Sequence, residues 1–129
     1  MAQDWVWVTV GVALAAHDEQ LAEHGGAGGV RGRNMLESAL ARPRNLVPYG
    51  EPDAAELAAA YAYGIARNHP FMDGNKRTAA VVSETFLVLN GYELTCGDVE
   101  LVTIFLALAA GELTPEQLAD WFRNHLVEL

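Results

Sequence analysis

The residues best suited to chemistry lie together in the stretch HPFMDGNKRT, which runs from His69 to Thr78. It contains an imidazole (His69), a carboxylate (Asp73) and two adjacent cations (Lys76 and Arg77). Imidazole titrates near neutral pH and can accept a proton from a hydroxyl, whereas a carboxylate can bind Mg²⁺. The apolar segments LAAAYAYGIA and AAVVSETFLVL flank the stretch. Polar groups between apolar walls are typical of a binding or active site.

The two apolar segments predict buried helices that meet at this stretch. The first helix must stop near Pro70, and the second begins at about Asn75 after a tight turn at Gly74. The first backbone amides of a helix have no partner within it, and the helix dipole is positive there. The start of the second helix is therefore a predicted anion site, and Gly74 would let the backbone come close to the anion.

Lys76 and Arg77 indicate which anion this is. A cation in the first turn of a helix opposes the dipole by about 0.3–1 kcal/mol, and the chain has only eight lysines and arginines. Two of them at this place predict a multiply charged anion such as phosphates. Asp73 beside phosphates would be repelled unless Mg²⁺ bridges the two. We therefore predict transfer of a phosphate-containing group from a nucleotide to a hydroxyl, with His69 as general base.

Each of these residues also has an ordinary explanation. Asp73 alone is most often a helix N-cap, Asn75 a turn former and His69 a satisfied helix-end residue. Lys76 and Arg77 alone would be solvated charges. Capping does not require the basic pair, so the combination favours phosphate chemistry.

The remaining chain predicts about six helices joined by short loops. Thr9, Asp53 and Thr114 are predicted N-caps, and the last two have Glu56 and Gln117 three residues on, as in a capping box. Residues 5–8 and 92–95 are predicted short extended pieces, and the last helix is predicted to run towards the end of the chain.

The second helix and the loop before it give two more predictions. Asn34 and Glu37 predict a capping box, and Pro43 predicts that the helix ends at the preceding residue. The glycine-rich stretch GGAGGVRGR predicts a solvated loop. The lesser alternative is that this loop contributes Arg31 or Arg33 to an acidic partner. On the first helix, His17 and His24 are predicted surface or partly buried histidines and not a metal pair, because no third ligand is in sight.

Composition limits the class of protein. A chain of 129 residues rich in alanine predicts one domain, residues 1–129, with an all-α fold: a compact bundle around two buried central helices. The net charge of −9 argues against broad contact with nucleic acid or an anionic membrane. The single cysteine, Cys96, excludes an internal disulfide. With no signal pattern and no apolar run of about 18 residues, we predict a cytoplasmic protein.

The stretch HPFMDGNKR resembles the signature of the Fic/Doc (Fido) superfamily, H-[PxF or xF]-x-[D/E]-[G/A]-N-x-R. The stretches HDEQLAEHGG and LESALARP and the carboxyl-terminal helices are also similar to Doc proteins, so the resemblance covers nearly the whole chain. It implies an α-helical Fido fold. Fic-type adenylyltransferases resemble H-P-F-x-[D/E]-G-N-G-R-x-x-R, with a glycine where Lys76 stands and an arginine where Ala80 stands. Doc-type toxins resemble H-x-F-x-D-A-N-K-R-T-A, which favours the Doc type despite Gly74.

The resemblance implies roles for single residues. A lysine at position 76 implies a reversed nucleotide, so that the γ-phosphoryl group faces the target and the enzyme is a protein kinase. Protein adenylylation is the alternative activity. Phe71 would anchor the turn in the core, and Arg67 is a weaker candidate for the site. The implied set is His69 as general base, Asp73 as Mg²⁺ ligand, and Gly74, Asn75, Lys76 and Arg77 as the grip on the phosphates of ATP or another nucleoside triphosphate.

The resemblance also implies partners. A Doc-like chain would be the toxin of a toxin–antitoxin pair that modifies a Ser or Thr hydroxyl of a translation protein of the elongation factor Tu class. A small Phd-like antitoxin would cover the site. No [S/T]-x-x-x-E-[G/N] segment is present, and Ala80 replaces the usual anchor for its glutamate, which fits inhibition by a separate chain. A non-catalytic nucleotide- or partner-binding module is a further alternative, and a DNA-binding bundle is a distant one.

Overall fold

The computed structural model describes residues 4–129, which form six α-helices and one small antiparallel sheet. Four helices precede the first of two three-residue strands, and two helices separate the strands. A 3₁₀ turn at Val47–Tyr49 follows the second helix. The elements are α1 (Val10–His24), α2 (Arg33–Leu46), α3 (Ala54–Asn68), α4 (Asn75–Leu89), β1 (Tyr92–Leu94), α5 (Asp98–Ala109), α6 (Pro115–Asn124) and β2 (Leu126–Glu128). The predicted all-α fold with about six helices is confirmed.

Helix α3 forms the centre of the core. Eleven of its fifteen residues are buried, and it packs against α2, α4 and α6. Its small residues permit this: a Cβ on Gly64 would lie 3.1 Å from the Cα and carbonyl oxygen of Ala39 in α2. Helix α4 is the second central helix, with Val82, Phe86 and Leu87 among its fully buried residues. The two apolar segments therefore hold the motif turn, residues 69–74, between rigid helices.

The predicted N-caps are confirmed. The Thr9 side chain accepts a hydrogen bond from the Val12 amide. Asp53 and Thr114 each form a complete capping box, with Glu56 and Gln117 respectively. Side chains that accept these amide hydrogen bonds satisfy helix starts that would otherwise stay unpaired.

The predictions for α2 were wrong at both ends. The helix begins at Arg33 after Gly32, which makes no side-chain cap, and the Glu37 carboxylate accepts a hydrogen bond from Arg33 Nε at 3.2 Å instead. Pro43 lies inside the helix, which continues to Leu46. The Pro43 ring is buried, and its packing offsets the hydrogen bond that a proline cannot donate.

The extended piece predicted at residues 92–95 is confirmed as β1. Its partner β2 was not predicted, because the last helix was expected to continue towards the end of the chain. That helix stops at Asn124 because His125 leaves the helical conformation and turns back on it: its amide donates to the Phe122 carbonyl and its Nδ1–H to the Trp121 carbonyl. Residues 5–8 lie outside helices and strands, and the Val8 amide donates to Tyr61 Oη at 2.9 Å. No helix within residues 4–129 combines the length and the apolarity needed to cross a bilayer.

Candidate active site at the motif turn

The motif turn begins where α3 ends at His69. His69 is left-handed (φ 48°, ψ 56°), and among residues 4–129 it alone has positive φ without being glycine. Its amide still donates to the Ile65 carbonyl at 3.2 Å, so it completes the last turn of α3 before Pro70 stops the helix. A left-handed conformation costs an ordinary residue about 1–2 kcal/mol. The chain accepts that cost at the residue whose exposed imidazole is the predicted base.

Phe71 and Asn75 fix the middle of the turn. Asn75 Oδ1 accepts a hydrogen bond from the Phe71 amide, and Asn75 Nδ2 donates to the Phe71 carbonyl, both at 3.0 Å. Phe71 is only 1% exposed, as expected for a core anchor. Because the Asn75 side chain is occupied by this pair of bonds, its backbone amide is the group left for an anion.

The first turn of α4 carries free amides, as predicted. The Gly74 amide donates to Asp73 Oδ1 at 2.9 Å, and the Thr78 amide donates to the Gly74 carbonyl. The amides of Asn75, Lys76 and Arg77 have no acceptor within residues 4–129. Three adjacent unpaired N–H groups at the positive end of a fifteen-residue helix form an anion-binding arrangement.

Gly74 precedes these amides in a left-handed conformation (φ 77°, ψ 18°). A Cβ there would lie 3.7 Å from the His17 ring, which is ordinary contact. The backbone conformation, and not a lack of space, is what favours glycine at this position.

The charged side chains of the site are exposed. Asp73, Lys76 and Arg77 all face solvent, and neither cation forms an ion pair within the part of the chain that the structure describes. Arg67 is also exposed, and its guanidinium approaches Gly111 just after α5, where a Cβ would lie 3.0 Å from Nη1. The motif therefore brings His69, Asp73, Gly74, Asn75, Lys76 and Arg77 together in one turn and the start of one helix.

His17 is a residue of this region that the sequence analysis did not assign to it. It is 2% exposed, and its Nε2–H donates to the Asp73 carbonyl at 2.8 Å. Its ring stacks on Phe71 with centroids 3.8 Å apart and planes 8° from parallel. The signal for burial was present, because His17 follows Ala13 by four residues and Ala16 by one on the buried face of α1. His24 is exposed, as expected.

The glycine-rich loop, residues 25–32, is largely exposed, as predicted, but it is also bound to the motif turn, which was not predicted. Val30 and Phe71 form an antiparallel bridge. The Arg31 and Gly32 amides donate to the Pro70 carbonyl at 2.7 and 3.2 Å, and the Met72 amide donates to the carbonyl of residue 29 at 3.1 Å. Backbone groups make these bonds, which leaves no side-chain pattern to reveal them.

The chain matches the model of the Fic/DOC family over residues 7–87, which is more than half of its length. The chain belongs to the Fic/DOC family. The match contains all of the motif turn and the loop that binds it. The predicted membership, made from HPFMDGNKR, is confirmed.

Two relatives show which branch of the Fic/DOC family is similar. "Protein kinase doc" of Escherichia phage P1 is 33% identical over 112 residues, which cover 86% of this chain and 88% of that protein. "Toxin Doc" of Mycolicibacterium smegmatis is 45% identical over 73 residues, 54% of this chain and 55% of that protein. The Doc-type resemblance is confirmed by both.

Two further contacts join the glycine-rich loop to the two ends of the motif turn region. Arg31 closes the end of α3: its Nε donates to the His69 carbonyl at 2.9 Å and its Nη2 to the Asn68 carbonyl at 3.2 Å. Gly26 (φ 119°) lies against Asp73, where a Cβ would be 2.8 Å from Oδ2. The loop therefore binds the last carbonyls of α3 and restricts the space around Asp73, the predicted metal ligand.

The residues of the site fit Mg²⁺ that is bound by one carboxylate and by ligands from a nucleotide. Among residues 4–129 no three His, Cys, Asp or Glu side chains are grouped so that they could hold a metal. Mg²⁺ is commonly held by one or two carboxylates together with phosphate oxygens. The single exposed carboxylate of Asp73 next to free helix amides fits that arrangement, in which a nucleotide supplies further ligands.

Proposed function

We propose that this protein is a Doc-type toxin and a protein kinase, which transfers the γ-phosphoryl group of a nucleoside triphosphate to a Ser or Thr hydroxyl. The observation that carries the proposal is the start of α4. Three amides and two cations, all without a partner among residues 4–129, meet the Asp73 carboxylate there within five residues. The names of the relatives, a protein kinase and a toxin, support the same function.

Each residue of the motif turn has a separate role in the proposed reaction. The amides of Asn75, Lys76 and Arg77 bind phosphate oxygens, and the two cations balance their charge. Asp73 would hold Mg²⁺, which when bound would supply positive charge that offsets the charge of the phosphates. His69 takes the proton from the target hydroxyl as that oxygen bonds to the γ-phosphorus. The bond to the leaving nucleoside diphosphate breaks, and His69 later releases the proton to water.

A lysine at position 76 favours the kinase over the adenylyltransferase by resemblance to Doc. The adenylyltransferase is the second candidate, and Pro70 and Gly74 favour it because both match the pattern of Fic-type enzymes. The left-handed conformation of Gly74 suits a glycine at this place in either branch.

The proposed partners follow from the same site. His69, Asp73, Lys76 and Arg77 are all exposed, so a separate chain can cover them. We propose that a small Phd-like antitoxin does so, and that the target is a translation protein of the elongation factor Tu class, which would place the reaction in the cytoplasm.

The position of the label in ATP tests the activity. The purified chain is incubated with bacterial lysate, or with purified elongation factor Tu, and ATP labelled with ³²P at either the γ or the α position. The kinase predicts protein label from γ-ATP only, lost in His69→Ala and retained in the matched control His24→Ala on exposed helix surface. Label from α-ATP only would establish the adenylyltransferase. No label and no slowing of growth on expression would support a non-catalytic module.

The role of Asp73 has its own test. Asp73→Asn retains an oxygen that can accept the Gly74 amide hydrogen bond but removes the charge. We expect the Mg²⁺ concentration for half-maximal transfer to rise steeply in Asp73→Asn and to stay unchanged in Asp18→Asn, a control on the exposed surface of α1. An unchanged Mg²⁺ requirement in Asp73→Asn would show that this carboxylate does not bind the metal.

A further inference from the structure

His17 is an unusual residue of the described chain because it is a titratable side chain within the core. The buried polar side chains of residues 4–129 are His17, Thr78 and Ser83. Ser83 bonds to carbonyls of its own helix, which is an ordinary local arrangement. His17 instead reaches from α1 to a carbonyl 56 residues away. Burying an imidazole is unfavourable unless its polar atoms find partners, so this contact accounts for its position.

The stacking and the hydrogen bond of His17 both fall on the motif turn. Its ring covers Phe71, its Nε2–H donates to the Asp73 carbonyl, and a Cβ placed on Gly74 would lie 3.7 Å from its edge. Because a carbonyl can only accept, Nε2 must carry a hydrogen. His17 thus touches the segment immediately before the free amides of α4 and does not itself reach solvent.

Two side chains hold the orientation of the peptide group between Asp73 and Gly74. Its carbonyl is held by His17 and its amide by Asp73 Oδ1, so opposite sides of one peptide plane are held by two side chains. Glycine at position 74 makes rotation of that plane inexpensive. Rotation would turn the carbonyl oxygen towards the Asp73 carboxylate and displace it, because the two would repel.

We infer that His17 is a positioning residue, which locks the Asp73–Gly74 peptide and thereby the direction of the Asp73 carboxylate and of the first amides of α4. The effect of the carboxylate and amide directions on Mg²⁺ and phosphates rests on the proposed function. The fixing of the Asp73–Gly74 peptide by His17 does not depend on that function.

Three substitutions separate the hydrogen bond from the stacking. His17→Gln retains an N–H donor at about the reach of Nε2 and loses the aromatic stack. His17→Phe retains the stack on Phe71 and loses the donor, which leaves the Asp73 carbonyl without a partner. Leu118→Ala, a fully buried residue of α6 away from the motif turn, is a control for lost stability alone.

The first measurement uses the protein without ligand. In ¹⁵N spectra we expect the Gly74 and Asn75 amide signals to shift or broaden in His17→Phe, to stay near wild type in His17→Gln, and to be unaffected in Leu118→Ala. We also expect the Nε2 atom of wild-type His17 to carry a hydrogen. Wild-type signals in His17→Phe, or hydrogen on Nδ1 alone, would overturn the inference whatever the protein catalyses.

The second measurement is the Kd of Mg·ATP by calorimetry, together with KM and kcat for transfer. Losing a buried hydrogen bond of this kind corresponds to an about 10-fold weaker Kd in His17→Phe, with KM changed more than kcat. His17→Gln should restore most of the affinity, and Leu118→Ala should retain it at reduced thermal stability. Equal losses in His17→Gln and His17→Phe would contradict the inference. If the wild type binds no Mg·ATP, the proposed function fails. The amide spectra would still show whether His17 holds the Asp73–Gly74 peptide.

Discussion

Replacing Asn75 by alanine tests whether that side chain builds the site or binds the ligand. In the structure its Oδ1 accepts from the Phe71 amide and its Nδ2 donates to the Phe71 carbonyl, each at 3.0 Å. Asn75→Ala removes both bonds and leaves two partly buried backbone groups of Phe71 without these partners. We therefore expect the main effect to be on the stability of the fold.

The size of the effect follows from three contributions. An amide left without its acceptor costs about 1–3 kcal/mol, and the lower half applies because the site is only partly buried. The second hydrogen bond adds about 1 kcal/mol. Alanine is the better helix former by up to about 0.7 kcal/mol, which offsets part of the loss at the first position of α4. The net expectation is a free energy of unfolding lower by about 1–3 kcal/mol, or a Tm lower by about 4–12 °C.

Urea unfolding and a thermal melt followed by circular dichroism measure this change. Asn45→Ala is the matched control: the same substitution in α2, at an exposed asparagine whose side chain makes no hydrogen bond within residues 4–129. It should change the stability by no more than about 0.5 kcal/mol. An Asn75→Ala protein that melts with the wild type yet loses Mg·ATP binding would refute the reasoning, because the side chain would then act on the ligand and not on the turn.

Three further substitutions test other parts of the structure. Lys76→Ala should abolish transfer but raise the free energy of unfolding by about 0.3–1 kcal/mol in urea titrations, because a cation in the first turn opposes the helix dipole. Gly26→Ala should weaken both Mg·ATP binding and stability, because its Cβ would lie 2.8 Å from a carboxylate oxygen of Asp73. The control is Gly25→Ala, which also has positive φ but has open space around its Cβ and should lower stability alone. Burial raises the pKa of Asp53, but hydrogen bonds from Arg123 and from the amide three residues on outweigh it and hold that pKa below its usual value. A depressed carboxyl pKa contributes stability that is lost as the pH falls below about 4, so urea titrations should show a shallower acid loss in Arg123→Gln than in wild type.

The sequence predicted best those features whose causes are local. The caps at Thr9, Asp53 and Thr114 were found because a cap and the amide it satisfies lie within three residues of each other. The motif turn was found for the same reason: the end of one helix, the glycine and the start of the next helix lie within ten residues.

The sequence did not reveal features whose partners are distant along the chain. His17 bonds to a carbonyl, and any residue type supplies a carbonyl, so nothing at position 73 pointed back to α1. Apart from the Arg31 side chain, the glycine-rich loop binds the motif turn through backbone groups, which leave no trace in residue type. Pro43 was read as a stop from its local preference, which the buried packing of α2 overrides. In each case tertiary contacts decided between local alternatives.

The attachment of residues 25–32 to the motif turn has a consequence for the order in which the protein opens. A few hydrogen bonds join the two segments, among them those from the Arg31, Gly32 and Met72 amides, and most of the loop is exposed while the helices beneath it are buried. Segments with few buried contacts open at a lower free energy than the core. In hydrogen exchange the Arg31 and Met72 amides should therefore exchange together, well before amides in the middle of α3. The loop would detach as one unit while the central helices remain folded, so the motif turn can loosen and re-form without unfolding of those helices.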